Sequence, residues 1–384
     1  MSLSALFSGL VGALGSSGER TLQDALQADL HPRAALLTDS GTAALALALT
    51  AAAPERDALV ALPAYSCYDI ATAADAANAH VVLYDVDDVT LAPEAGSLAR
   101  ALAHRPRAVV AVHLYGVPVD IARVQQAAAD ARALVIEDAA QGIGGAIRSE
   151  PAGSQGSLAI LSFGRGKGIS GGAGGALLAN DDSGVLALEQ LRSRVAPAAA
   201  GWSELARAGA QWMFARPAVY GFISALPFLR LGETIYHSPR PQRALSRAAS
   251  RIVAHVWAEA HADTMARRAR GARLQRAAEQ SSSWRAIELP PDLTPGFLRL
   301  PLIALGARSA AITRAATQLG VMPGYPLPLS KLPGFRDRCI NANDAFPGAE
   351  LLSQRLITLP THRYVSTRDL ERLERWLQQP IEAG

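Results

Sequence analysis

ALVALPAYSCYDIATAADAANAHVVLYDVD, residues 58–87, reads as a strand, a helix and a second strand. The first apolar run, 58–65, stops at Pro63-Ala64-Tyr65. An Ala-rich amphipathic helix follows, and HVVLYDVD (80–87) is the next strand. Neither strand alternates apolar with polar residues, so both are buried on two faces, as in a parallel sheet covered by helices. The same rhythm continues on either side. GTAALALALTAAA (41–53), APEAGSLARALAHR (92–105) and DIARVQQAAADAR (120–132) read as helices, whereas AVVAVHLYG (108–116), ALVIEDAAQ (133–141) and LAILSF (158–163) read as strands. The fold class is therefore α/β with a mostly parallel sheet between helices. Ligands of such sheets bind beyond the carboxyl ends of the strands. Polar residues at those ends are Tyr65, Ser66, His113, Tyr115, Asp138 and Gln141, with Ser162 and Lys167 after the later strand.

Past residue 185 the alternation fades. Residues 185–280 read as helical, with an irregular Pro-rich piece near YHSPRPQ (236–242). The end of the chain reads as a smaller α+β unit: strands near 297–305, 320–325 and 356–360, and helices at 308–319, 346–354 and 367–378. We expect a large domain over residues 1–250 and a small one over 251–384.

Composition narrows the function. The chain of 384 residues is 49% apolar and 18% charged, enough to bury a core. Its formal charge of +3 is too weak and dispersed to mark a nucleic-acid surface. The basic run MARRARGARLQR (265–276) reads as the solvated face of a helix. Cys67 and Cys339 lie far apart and form no metal spacing, which fits a reducing cytoplasm. The apolar N-terminus lacks a positive leader and reads as a packing helix. The apolar stretch 212–232 contains Arg216, Pro217, Pro227 and Arg230, which argue against a membrane span.

Only two lysines occur among 37 basic residues, and Lys167 sits in SFGRGKGISGGAGG (162–175). Arginine could supply charge there, but only an amine can form an imine with an aldehyde. Scarcity alone is equally consistent with compositional bias. The neighbours add to it. TDSGTAAL (38–45) opens a helix at Ser40, Gly41 and Thr42, where backbone amides and the helix dipole favour a phosphate. Asp138 ends a strand, where a carboxylate can pair with a protonated pyridine nitrogen. An anchor lysine, a carboxylate and an anion-binding helix start are what a pyridoxal phosphate enzyme requires.

The chain resembles the DegT/DnrJ/EryC1/StrS family of pyridoxal phosphate-dependent aminotransferases, which share the aspartate aminotransferase fold (fold type I). The matching stretches are SGTAALALAL, residues 58–87, AVHLYGVPVDI, VIEDAAQGIGG, SFGRGKGISGGAGGALLAND and FPGAELLSQRLITLPTHRYVS, in family order. The resemblance implies that Lys167 is the lysine holding the cofactor's aldehyde and also the proton carrier. It implies that Asp138 partners the pyridine nitrogen, that Gln141 lies beside the cofactor's 3-hydroxyl, and that Ser162, Ser40, Gly41 and Thr42 receive the phosphate. It further implies an amino donor such as L-glutamate, a keto-sugar nucleotide as acceptor, a role in cell-surface polysaccharide synthesis, and a homodimer with shared sites. The sequence also departs from the family. Its ring-stacking aromatic falls at Cys67, with Tyr68 next, so either could lie against the cofactor. The family's acidic GEGG is GAGG here, with Ala173. RPQRALS (240–246) stands where the family reaches into its partner subunit, which makes Arg243 the candidate cross-subunit phosphate contact. His113 and Tyr115 share the rim of the sheet, His113 being a further cofactor candidate, and Arg165 is left open. Two other readings stand beside this one: a lipid-linked or other apolar ketone as substrate, and a non-catalytic cofactor-binding scaffold or regulator. A nicotinamide site is disfavoured, because GIGG and GGAGG lack the strand–GxGxxG–helix context.

Overall fold

The computed structural model describes residues 2–55, 58–214 and 236–381. The strand–helix–strand unit at 58–87 forms as read: β2 (Leu59–Pro63), α4 (Asp69–Ala76) and β3 (His80–Tyr84). Around it stand β1 (Ala34–Thr38), α3 (Gly41–Ala52), α5 (Ala95–Ala103), β4 (Ala108–Val112), α6 (Ile121–Ala128), β5 (Leu134–Asp138), two-residue strands β6 (Ala146–Ile147) and β7 (Glu150–Pro151), β8 (Leu158–Ser162) and β9 (Gly175–Ala179). Seven of these strands make one sheet in the order β1-β9-β8-β5-β4-β2-β3. Its pairings are parallel except those of β9, which runs antiparallel to both β1 and β8. Successive residues feed opposite faces: Val60, Leu62, Val110 and Ile136 join one core, and Ala61, Val82, Val109 and Val135 another. That explains the unbroken apolar strands.

Two N-terminal helices, α1 (Leu3–Leu14) and α2 (Glu19–Leu30), close one side, as expected of a packing helix. They pack against α9 (Arg247–Trp257), which lies beyond α7 (Asp182–Leu191) and α8 (Trp202–Phe214). Among the described residues no helix is long and apolar enough to cross a membrane. Residues 215–232 of the apolar stretch lie outside the described residues.

A second unit follows the long helix α10 (Ala260–Glu279). Its four-stranded sheet has the order β10 (Trp284–Ala286), β12 (Arg299–Ala304), β14 (Leu356–Pro360), β13 (Met322–Pro323), while β11 (Leu293–Thr294) pairs with β6. Its core gathers Leu274, Leu300, Leu302, Leu359 and the paired rings of Trp284 and Trp376, 4.8 Å apart. The helix expected at 308–319 breaks into α11 (Arg308–Ala311) and α12 (Arg314–Gln318), because Thr313 caps the second piece by accepting from the Ala316 amide. The expected boundary after residue 250 falls inside α9, whose Ala249, Val253 and Trp257 join the core under the large sheet.

The basic run on α10 is not a solvated face. Arg267 is buried and pairs with Asp263, Arg268 donates to the Gly144 and Pro295 carbonyls, Arg270 to the Thr361 carbonyl, and Arg273 clasps Glu374 through two bonds of 2.6 and 2.7 Å. Long arginines spend their donors on neighbouring carbonyls here, which helical charge periodicity alone cannot reveal.

Candidate active site

The sheet register assembles the rim. Thr38 and Ser162 both pair with Gly175, so the ends of β1 and β8 meet across β9. Two residues past Thr38, Ser40 caps α3 by accepting from the Ala43 amide at 3.1 Å. Gly41 then lies so close to Ser162 that an added Cβ would stand 2.7 Å from the Ser162 Cβ and 3.0 Å from its Oγ. On its other side a Cβ on Gly175 would meet the Ser40 carbonyl carbon at 2.5 Å and the Gly41 nitrogen at 2.6 Å. Two glycines thus let a helix N-terminus and the Ser162 hydroxyl converge, with Thr42 beside them. The convergence suits a phosphate group. Gly41→Ala is expected to cost about 1–3 kcal/mol of stability through overpacking and to weaken phosphate-ligand binding. Thermal melting and titration with pyridoxal phosphate check this. Unchanged values for both would detach Gly41 from the site.

Asp138 ends β5 and takes a hydrogen bond from the Ala140 amide at 3.0 Å. Burial raises its carboxyl pKa more than that amide and the nearby Lys167 charge lower it. A carboxylate buried so gains from a further cationic partner. Lys167, in the loop between β8 and β9, interacts electrostatically with both Asp138 and Cys67. Cys67 is held neutral, its thiol pushed up to about 12 chiefly by burial, and its sulfur approaches Asp69 at 3.5 Å. Tyr68 turns elsewhere. Its hydroxyl is tied to the Leu327 amide and carbonyl, at 2.9 and 3.2 Å, and its ring packs on Tyr325. Of the two candidates at the stacking position, Cys67 is the one within electrostatic reach of Lys167.

The other candidates have engagements of their own. His113 is buried, with Nε2 donating to Glu137 at 2.8 Å and Nδ1 accepting from the Val119 amide at 2.9 Å. Glu137 also takes the amides of Gly153, Gln155 and Gly156. Both ring nitrogens of His113 are thus spent on the protein, so only its ring face remains for a ligand. Gln141 is likewise committed, accepting from the Tyr115 amide at 3.0 Å and donating to the Tyr325 hydroxyl at 2.8 Å. Arg243 lies beside Asp39, whose amide donates to the Arg243 carbonyl at 2.8 Å, so it stands next to the Ser40–Gly41 turn of its own subunit. Arg165 is exposed.

Two groups were missed in the sequence. Tyr325 brings the second unit onto the rim through Gln141, Tyr65 and Tyr68. His362, after β14, lines the cavity in front of Lys167. Burial first, then Arg299, Arg267 and Arg270, depress its pKa to about 4. The unfolded chain takes up a proton on His362 below about pH 6.5, whereas the folded chain resists until about pH 4. Its contribution is therefore full above pH 6.5 and lost as pH falls towards 4, at most about 3 kcal/mol. Denaturant unfolding at pH 7 and pH 5 should show a smaller loss for His362→Gln than for the parent chain. Equal losses would count against a buried, neutral His362.

A model of the DegT/DnrJ/EryC1/StrS aminotransferase family matches residues 10–205, just over half the chain. The chain belongs to that family. It is 34% identical over 160 residues to GDP-perosamine synthase of Caulobacter vibrioides, covering 42% of this chain and 43% of that one. It is 33% identical over 175 residues to L-glutamine:scyllo-inosose aminotransferase of Streptomyces griseus, covering 44% and 41%. The matches span less than half the length of these curated relatives. Whole-chain likeness comes from solved structures: a family aminotransferase from Brucella abortus superposes with a TM-score of 0.77 at 21% identity, covering 98% of this chain and 94% of that one. The sugar aminotransferase CalS13 of Micromonospora echinospora gives 0.76 at 20%, covering 98% and 97%. The fold is that of the type I pyridoxal phosphate transferases.

Proposed function

We propose that this chain is a pyridoxal phosphate-dependent aminotransferase that moves an amino group from L-glutamate to the keto group of a nucleotide-linked sugar. The observation that carries it is the convergence on one rim of Lys167, Asp138 and the Gly41–Ser162 cradle. The donor set fits the cofactor: hydroxyls and helix amides for its phosphate, a carboxylate in want of a cation for its ring nitrogen, and an amine for its aldehyde. When bound, pyridoxal phosphate supplies an aldehyde that captures amino groups and a ring that accepts electrons from the neighbouring bond. Asp138 holds the proton of the ring nitrogen. Lys167, once its amine is free, acts through Nζ as the general base that takes and returns the proton at the substrate's α-carbon. Cys67 contributes a neutral, apolar surface at the position the family gives to an aromatic. One relative above is named for a nucleotide-linked amino sugar and another for a cyclitol ketone, which supports a sugar-like acceptor here; the proposed working unit is a cytoplasmic homodimer.

The test is the visible spectrum of the purified protein with pyridoxal phosphate, before and after L-glutamate. A lysine-bound band that collapses on addition of the donor supports the reading. A band that persists with every amino donor favours the non-catalytic scaffold. One observation favours an apolar ketone instead: Leu3, Phe7, Leu10 and Leu14 line one exposed stripe of α1, with Trp202 and Met213 exposed on α8. Retention of the protein on lipid vesicles would support that acceptor over a sugar nucleotide.

A further inference from the structure

The second unit is fastened to the rim of the large sheet at residues 324–327. The Tyr65 hydroxyl accepts from the Tyr325 amide at 3.0 Å, and the Tyr68 hydroxyl from the Leu327 amide at 2.9 Å. A Cβ on Gly324 would run into the Tyr65 hydroxyl, so a side chain there would lift the segment off. The Tyr325 ring is held among Tyr65, Tyr68 and Tyr115, with centroids 5.3, 6.5 and 5.6 Å away. Its hydroxyl meets the Gln141 side chain. The Tyr115 amide can only donate, so the Gln141 atom that it meets at 3.0 Å is the oxygen. The Gln141 nitrogen then faces Tyr325 and donates to its oxygen at 2.8 Å. Neither the Tyr325 hydroxyl nor the Gln141 nitrogen makes another hydrogen bond among the described residues. One O–H of Tyr325 and one N–H of Gln141 are therefore unspent, side by side and on buried residues. Unpaired buried donors are costly, so the pair marks a place where an acceptor oxygen completes the bonding.

We infer that Tyr325, in the second unit, joins Gln141 in a two-donor site for an anionic oxygen, and that the oxygen it takes is the 3-hydroxyl oxygen of bound pyridoxal phosphate. This deepens the aminotransferase reading and rests on it. Tyr325 is within electrostatic reach of Cys67, and Cys67 of Lys167, which sets the pair at the Lys167 rim. The family resemblance puts Gln141 beside the same oxygen, and the Tyr325 hydroxyl is the group bonded to Gln141. Tyr325 stays protonated, because burial first and then Cys67 hold its pKa well above the ordinary value. Two donors on one oxygen favour its anion. That oxygen also attracts the proton on the nitrogen that Lys167 contributes. Donors that draw charge from the oxygen loosen this proton, which then leaves at a lower pH. One hydroxyl of the second unit thereby tunes the cofactor held by the first.

The experiment titrates the visible band of the cofactor-loaded protein against pH. Tyr325→Phe suits it, since the ring keeps its packing and the residue's amide keeps its bond to Tyr65. Losing one donor should raise the midpoint of the band's transition by about 1–2 pH units and weaken pyridoxal phosphate binding by about 10- to 100-fold. Gln141→Leu, which removes the other donor, should move both in the same sense. Melting of the unloaded proteins shows which variants fold, and either one carries the test. The control ligand is 3-deoxypyridoxal phosphate, which lacks the oxygen, so parent and variants should bind it alike. If the midpoint in a folded variant stays at the parent's value, or if both cofactor forms are weakened to the same extent, the inference is overturned and Tyr325 only packs. That result in a protein that still transfers amino groups leaves the aminotransferase reading standing. The expected shift in a protein that transfers none would sustain the donor pair while that reading fails.

Discussion

Lys167→Ala is expected to abolish turnover, by more than about 10⁴-fold, and to remove the visible band of the cofactor-loaded protein. The reason lies in two roles carried by one amine. Under the proposed function it anchors the cofactor's aldehyde, and it takes and returns the proton at the substrate's α-carbon. Alanine removes both, and no neighbour replaces them. Cys67, within electrostatic reach, is held as a neutral thiol by burial, and the other lysine of the chain, Lys331, pairs with Glu350 at 2.6 Å. Lys167→Arg should fail equally, because a guanidinium keeps its proton. Folding should survive, since Lys167 is only partly buried and contributes a loop amide to the Gly164 carbonyl rather than a side-chain bond. Normal turnover in either variant would end the assignment.

Asp138→Asn is expected to keep the fold and bind the cofactor, yet lose about 10²- to 10³-fold in rate. The amide is nearly isosteric and can keep its bond from the Ala140 amide. What it cannot do is hold a proton on a pyridine nitrogen, because it carries no charge. The ring then accepts electrons poorly, and the loss appears in the rate rather than in affinity for the donor. Burial already raises the Asp138 pKa, so the carboxylate gains from a cationic partner, and stopped-flow spectra of the half-reaction with L-glutamate isolate the effect. Unchanged rates would remove Asp138 from the site.

Much of the architecture was legible because local pattern and global fold agree. Apolar runs such as AVVAV and LVIE could only be strands buried on both faces, and the amphipathic segments between them could only cover the sheet. The chain order of strand ends then placed Asp138, Ser162 and the Ser40–Thr42 turn on one rim. Side-chain engagement was not legible. His113 and Gln141 sit where the pattern put them, yet their polar atoms are taken by Glu137, Val119, Tyr115 and Tyr325. Arg267 and its neighbours looked like a solvated face and instead bind carbonyls and carboxylates across the two units.

By itself the sequence determined the parallel sheet and the second α+β unit, and it singled out Lys167 as the candidate anchor for an aldehyde. Those features rest on periodicity and residue chemistry, which are local. Only the tertiary structure decided that Cys67 stands within electrostatic reach of Lys167 while Tyr68 is tied to Leu327, that Gly41 lies against Ser162, and that Arg299, His362 and Arg363 line a cavity together with the lysine. Residues between roughly 100 and 200 positions apart meet there because two separately packed sheets are brought together by α10, and no local pattern encodes that distance.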